Sequence, residues 1–240
     1  MRVAIHYFGH LRTFRDCLPS HKQFLIAGSH QFDVFLHTWD HSDRRTESWY
    51  KVNGEIRNVE NSDLEFLKKE LAPVACSIEP QIFSPGERDL EYISSRKMHE
   101  SLRKSLRLRL SCKFSPRPDL VIVIRPDILL KRQLDLDYLH TITQDPWLQR
   151  AVLTPTHHHP PCGIFQTDRL AGRDSILIGS DEALSHFGSI GLDPSIYSRF
   201  PRYNQVGECF FDNFIFQRHL RWVPIEFLAP EDWEIRRSSS

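Results

Sequence analysis

The sequence is poor in the features that assign a class at sight. It has no excess of charge: 31 Lys and Arg stand against 31 Asp and Glu. A neutral chain has no long-range field for a polyanion, so nucleic acid is not expected as a partner. Any anion it binds must be met by a local cluster. Cysteine is scarce and scattered: Cys17, Cys76, Cys112, Cys162 and Cys209 are odd in number and never form CxxC. This argues against a disulfide framework and a thiolate zinc site, and predicts reduced thiols in a cytoplasmic protein. No apolar run approaches the roughly 18 residues that a membrane span needs. The run from Val3 to Phe8 is too short for a signal peptide, and His6 interrupts it. There is no GxxxxGK[ST] loop, which argues against kinase-like phosphate binding.

What is present is an alternation of strand and helix patterns. Val3–Gly9, Phe32–Asp40 and Asp119–Arg125 are dense in Val, Ile, Leu and Phe and end on polar residues, as buried strands do. A short strand is expected in ACSIEPQIF, from Ala75 to Phe83, and others in Ala151–Pro155, Asp174–Ser180 and the segment RWVPIEFLAP. Helices are expected after Gly9, with a break near Pro19, and from Ser62, where Glu65 three residues on suggests a capping box that closes at Pro73. Leu90, Ile93, Met98, Leu102, Leu106 and Leu110 recur at helical spacing across residues 89–113. Further helices are expected in DEALSHFGSIG and GECFFDNFIFQRHLR. Such alternation predicts an α/β fold, a Rossmann-like, mostly parallel sheet with helices on both faces. The 240 residues suit one domain over 1–235 and a flexible tail at 236–240.

In parallel sheets ligands bind at the carboxyl ends of the strands, so the polar residues there carry the functional argument. Gly9, His10 and Arg12 follow the first strand. Glycine lets a ligand approach the backbone, and a helix start with an arginine suits a phosphate. Thr38, Trp39 and Asp40 end the second strand, where Trp39 could stack on a base or a sugar ring. Arg125, Pro126 and Asp127 end the strand at 119–125. Two residues apart, Arg125 and Asp127 face the same side of an extended chain. Asp127 could hold a hard cation, Mg2+ or Mn2+, and Arg125 a phosphate; an ion pair closing the strand is the plain alternative. Asp174, Glu208 and Asp40 are candidate catalytic bases. The helix at 89–113 is strongly basic, which suits a phosphate ligand, peripheral contact with an anionic membrane, or simply a solvated face. His157, His158 and His159 cannot all point one way and have no companion Cys or Glu at zinc-like spacing, so a loop is expected.

The segments VAIHYFGHLRTF, FDVFLHTWD, DLVIVIRPDILL, DSILIGSDEALSHF and GECFFDNFIFQRHL, in that order, resemble a family of bacterial glycosyltransferases from lipopolysaccharide O-antigen and capsule gene clusters. The resemblance implies a GT-A-like fold and a nucleotide-sugar donor. It also implies a glycan or lipid-linked acceptor at the inner face of the cytoplasmic membrane, and a divalent cation held after a central strand. There Asp127 would be the metal ligand. The first acid of the family's Asp-X-Asp pattern is Arg125 here, which could replace part of the cation's charge; a CMP-sugar would also need less of it. The alternatives are a non-catalytic nucleotide-sugar or glycan-binding partner of a polysaccharide synthase, and another phosphate enzyme on a similar sheet, such as a nucleotidyltransferase.

Overall fold

A computed structural model describes residues 1–42, 57–86, 93–112, 116–155, 175–193, 211, 214–225 and 230–236. The chain runs β1 (Arg2–Gly9), α1 (Phe14–Phe24), β2 (Gln31–Trp39), α2 (Asn61–Leu71), β3 (Ala75–Glu79), α3 (Ile93–Ser111) and β4 (Leu120–Ile124). It goes on through β5 (Ile128–Leu130), α4 (Leu136–Gln144), β6 (Ala151–Pro155), β7 (Ile176–Gly179), α5 (Asp181–Ser185), β8 (Arg221–Ile225) and β9 (Trp233–Ile235). Among the described residues, seven strands form one sheet in the order β3-β2-β1-β4-β7-β6-β8. Only β7 runs against its neighbours, pairing antiparallel with both β4 and β6. The mostly parallel Rossmann-like sheet is therefore as the sequence predicts.

Strand β1 shows how the sequence builds the two layers. Its side chains alternate, and both faces are buried. Val3, Ile5 and Tyr7 pack with Leu18 of α1, Leu67 of α2 and Leu139 of α4. Ala4 and Phe8 pack with Leu102 and Leu106 of α3 and with Ala183 and Leu184 of α5. A strand covered on both faces reads as a continuous apolar run. His6 breaks that run and is fully buried; its Nδ1 lies 3.1 Å from the Ser105 carbonyl on α3.

Several local expectations are corrected. Pro19 does not break α1, which continues to Phe24. The cap of α2 is two residues earlier than Ser62: Glu60 is the N-cap, with Asp63 as its partner. Asp63 takes that place because Arg15 and Arg57 also bond its carboxylate. The helix expected over DEALSHFGSIG is α5 followed by a 3-10 turn at His186–Ser189. Arg236, expected in the tail, is fixed: its N–H donates to the Asp127 carbonyl at 2.8 Å, and its carbonyl accepts from Thr13 Oγ1 at 2.8 Å. It is held there by β9, which pairs antiparallel with β5 and was not foreseen.

Candidate functional site

Strand order decides where a site can form. From β1 the chain moves outward through β2 to β3, then crosses back over α3 to place β4 on the other side of β1. The order reverses between β1 and β4, and a crevice opens at such a switch point beyond the strand ends. The residues that follow these two strands are Gly9-His10-Leu11-Arg12 and Arg125-Pro126-Asp127.

They meet. Arg125 grips Asp127 with two bonds, Nε to Oδ1 at 2.9 Å and Nη2 to Oδ2 at 2.7 Å. Arg12 reaches across from the β1 loop, its Nη1 donating to Asp127 Oδ2 at 2.6 Å. Asp127 is fully buried, and the side chains of Arg12 and Arg125 are 10% and 8% exposed. The backbone holds this arrangement in place. Arg12 sits at φ +43°, an uncommon conformation for a residue with a Cβ, and its N–H donates to the Ser42 carbonyl. The Arg125 N–H donates to the Ser175 carbonyl at the start of β7. Under the turn, His21 Nδ1 lies 3.0 Å from the Tyr7 hydroxyl and its Nε2 2.5 Å from the Ile128 carbonyl. Burial keeps His21 neutral, its pKa lowered to about 4.

The other expected residues divide. Gly9 turns at φ +96°, and its N–H donates to Ser101 Oγ on α3 at 2.7 Å. His10 lies beside it, Nδ1 3.2 Å from the His41 carbonyl. Asp40 is half-buried at the end of β2, where Oδ1 accepts from the Gln81 N–H and bonds to His41 Nδ1. Thr38 and Trp39 belong to the interior instead. Both are 1% exposed, because β2 is covered on both faces up to its last residue. Trp39 packs edge-on against His37 and carries the Lys104 ammonium over its ring, so it presents no face for a base to stack on. Asp174 and Glu208 lie outside the described residues, as do His157, His158 and His159.

A second polar cluster flanks the first, on the β3 side. Glu79, the last residue of β3, bonds Lys104 at 2.6 Å; Lys104 bonds Glu100 at 2.9 Å; Glu100 bonds Lys97 at 3.2 Å. His37 Nε2 is 3.6 Å from Glu79. Burial pushes the Lys104 pKa down, but the bonds to Glu79 and Glu100 outweigh it and the net shift is upward. Glu79 was not picked out, because a strand expected over Ala75–Phe83 leaves it mid-strand, whereas it is the last residue of β3; nor were Ser101 and Lys104, since a helical period does not say which polar residue reaches the sheet. Other basic residues of α3 have partners too. Arg109 is paired with Asp181, and Arg103 and Arg107 donate to the carbonyls of Ile190 and Gly188. Arg109 is buried, Arg103 partly buried and Arg107 exposed, so several charges of α3 are engaged by partners within the protein. Among the described residues no helix is long and apolar enough to cross one.

Comparison with known proteins bears on the fold. No family model matches the sequence, and no curated protein matches it. Among solved structures, a nucleoside-diphosphate-sugar pyrophosphorylase from Vibrio cholerae RC9 superposes with a TM-score of 0.52. The match covers 96% of this chain and 93% of that one, at 9% identity. The likeness therefore extends over the whole sheet and is one of architecture.

Proposed function

We propose that this protein is a nucleotide-sugar-dependent glycosyltransferase whose acceptor is a surface-polysaccharide or lipid-linked glycan. The observation that carries the proposal is the meeting of Arg12, Arg125 and Asp127 at the β1–β4 switch point. Glycosyl transfer breaks the bond between the anomeric carbon and a phosphate oxygen, and the electron pair stays on the phosphate. Positive charge grows on the sugar and negative charge on the leaving group. Guanidinium groups fixed by a buried carboxylate need little reorganisation as that charge appears, which makes them effective stabilisers. The acceptor oxygen bonds the anomeric carbon and gives up its proton to a carboxylate. Asp40 stands at this edge and is half-exposed; Asp174 and Glu208 remain candidates for the same role. Gly9 and His10 would line the donor's path beside Arg12.

The architectural likeness to a pyrophosphorylase favours one second reading, nucleotidyl transfer onto a sugar phosphate. Incubation with a panel of UDP-, GDP-, CMP- and dTDP-sugars and glycan acceptors separates the two. Release of nucleoside diphosphate, or of CMP, with a lengthened glycan supports the transferase. Release of pyrophosphate from a nucleoside triphosphate and a sugar 1-phosphate supports the second reading. Nucleotide binding without either product points to a non-catalytic partner of a synthase.

A further inference from the structure

The resemblance of the sequence implies a divalent cation on Asp127, and the residues around Asp127 do not fit one. A carboxylate offers about four lone-pair directions. Three of them here receive N–H donors, at 2.6, 2.7 and 2.9 Å. Both oxygens are engaged, and the donors carry two positive charges. A dication on Oδ2 would have to displace a guanidinium, and one on Oδ1 would stand beside the Arg125 guanidinium at contact distance, in a place where water is largely excluded. Hard cations instead collect several oxygen ligands. Position 125 is where a second carboxylate would share one side of the turn with Asp127, and it holds the arginine that closes Asp127 off. Among the described residues no group of three His, Cys, Asp or Glu side chains could hold a metal ion.

We infer that Asp127 is the anchor of an arginine pair and not a cation ligand, so that nucleotide binding at the switch point needs no divalent metal. This rests on the phosphate site proposed above. The charge that a cation would bring to the diphosphate is supplied by Arg12 from one loop and Arg125 from the other. Asp127 sets their spacing. Its main chain is tied in turn to Arg236, which makes the C-terminal strand β9 part of the anchor.

The test is calorimetric titration of the full chain with UDP, GDP, CMP and dTDP, once with manganese and once with EDTA. The nucleotide that binds should do so with affinities that agree within about twofold, well under the tenfold that 1.4 kcal/mol represents. A loss of tenfold or more in EDTA overturns the inference while leaving the phosphate site standing. Failure of every nucleotide under both conditions overturns the phosphate site, and the inference with it. The variant Asp127→Asn adds an independent readout, paramagnetic resonance of bound Mn2+. An anchor predicts weaker nucleotide binding in manganese and in EDTA alike, with Mn2+ binding the same as in the wild type. Loss of a tightly bound Mn2+ in Asp127→Asn would contradict it.

Discussion

Two clusters of arginine, lysine and carboxylate lie along one edge of the sheet, and they are built differently. At the switch point Asp127 is buried, touched by two guanidiniums, and reached from two loops and the C-terminal strand. At the β3 side Glu79, Lys104 and Glu100 are 38%, 26% and 26% exposed, and each pair is a single contact between flexible side chains. Both pair cations with carboxylates, arginine with aspartate in the first and lysine with glutamate in the second. The difference is that topology forces the first together, whereas the second lies across one helix and the end of one strand. A buried, over-determined charge cluster is expensive to assemble and rigid once made, which suits binding a transition state. A half-exposed one adds little beyond tethering α3 to the strand beneath it.

The largest expected effect comes from emptying the first cluster. Asp127→Ala leaves two guanidiniums facing each other in a buried space, and should cost about 3–5 kcal/mol of stability. A urea unfolding midpoint close to that of the wild type would mean that the cluster is not the rigid element described. Arg12→Ala should follow. It removes a charge-assisted bond of about 1.5–3 kcal/mol and should weaken nucleotide binding at least about tenfold.

Buried histidines give a pH prediction. Burial is the main cause in each case: it lowers the pKa of His21 and His37 to about 4, and of His6 and His99 to about 3. In the unfolded chain they titrate near 6.5. Between these values the unfolded state binds more protons, so stability is full above about pH 6.5 and falls as the pH drops toward 4. Urea midpoints at pH 7 and pH 5 should differ, with pH 5 the lower; equal midpoints would show that these rings are not held neutral. His21→Gln and His37→Gln should each shrink the difference, which compares the two clusters at one chemistry. Smallest of all is Lys104→Ala. Breaking its half-exposed pairs should cost no more than about 1 kcal/mol, read as a small shift in melting temperature.

How much of this the sequence carried depends on range. Strands β1, β2 and β4 and helix α3 were legible because each is a local pattern of apolar residues long enough to recognise. The pairing of β5 with β9 was not, for each has three residues and the register joins Ile128 to Ile235. Arg125 and Asp127 could be matched because they are two residues apart. The third member, Arg12, is 115 residues from Asp127 and could be named only as a strand-end arginine. Trp39 shows the opposite error. A polar strand end suggests exposure, but burial continues through Trp39 and stops at Asp40. The partners of the α3 charges were hidden for a related reason: a helical period places the apolar face and says nothing about the carboxylate or carbonyl each long basic side chain reaches.

The comparison is most directly tested by titrating one nucleotide, the tightest binder of the panel, into three proteins: wild type, Arg12→Ala and Lys104→Ala. Binding should weaken at least about tenfold in Arg12→Ala and stay within about twofold of the wild type in Lys104→Ala. Unchanged affinity in Arg12→Ala, with the loss appearing in Lys104→Ala, would move the phosphate site to the β3 cluster and contradict the account.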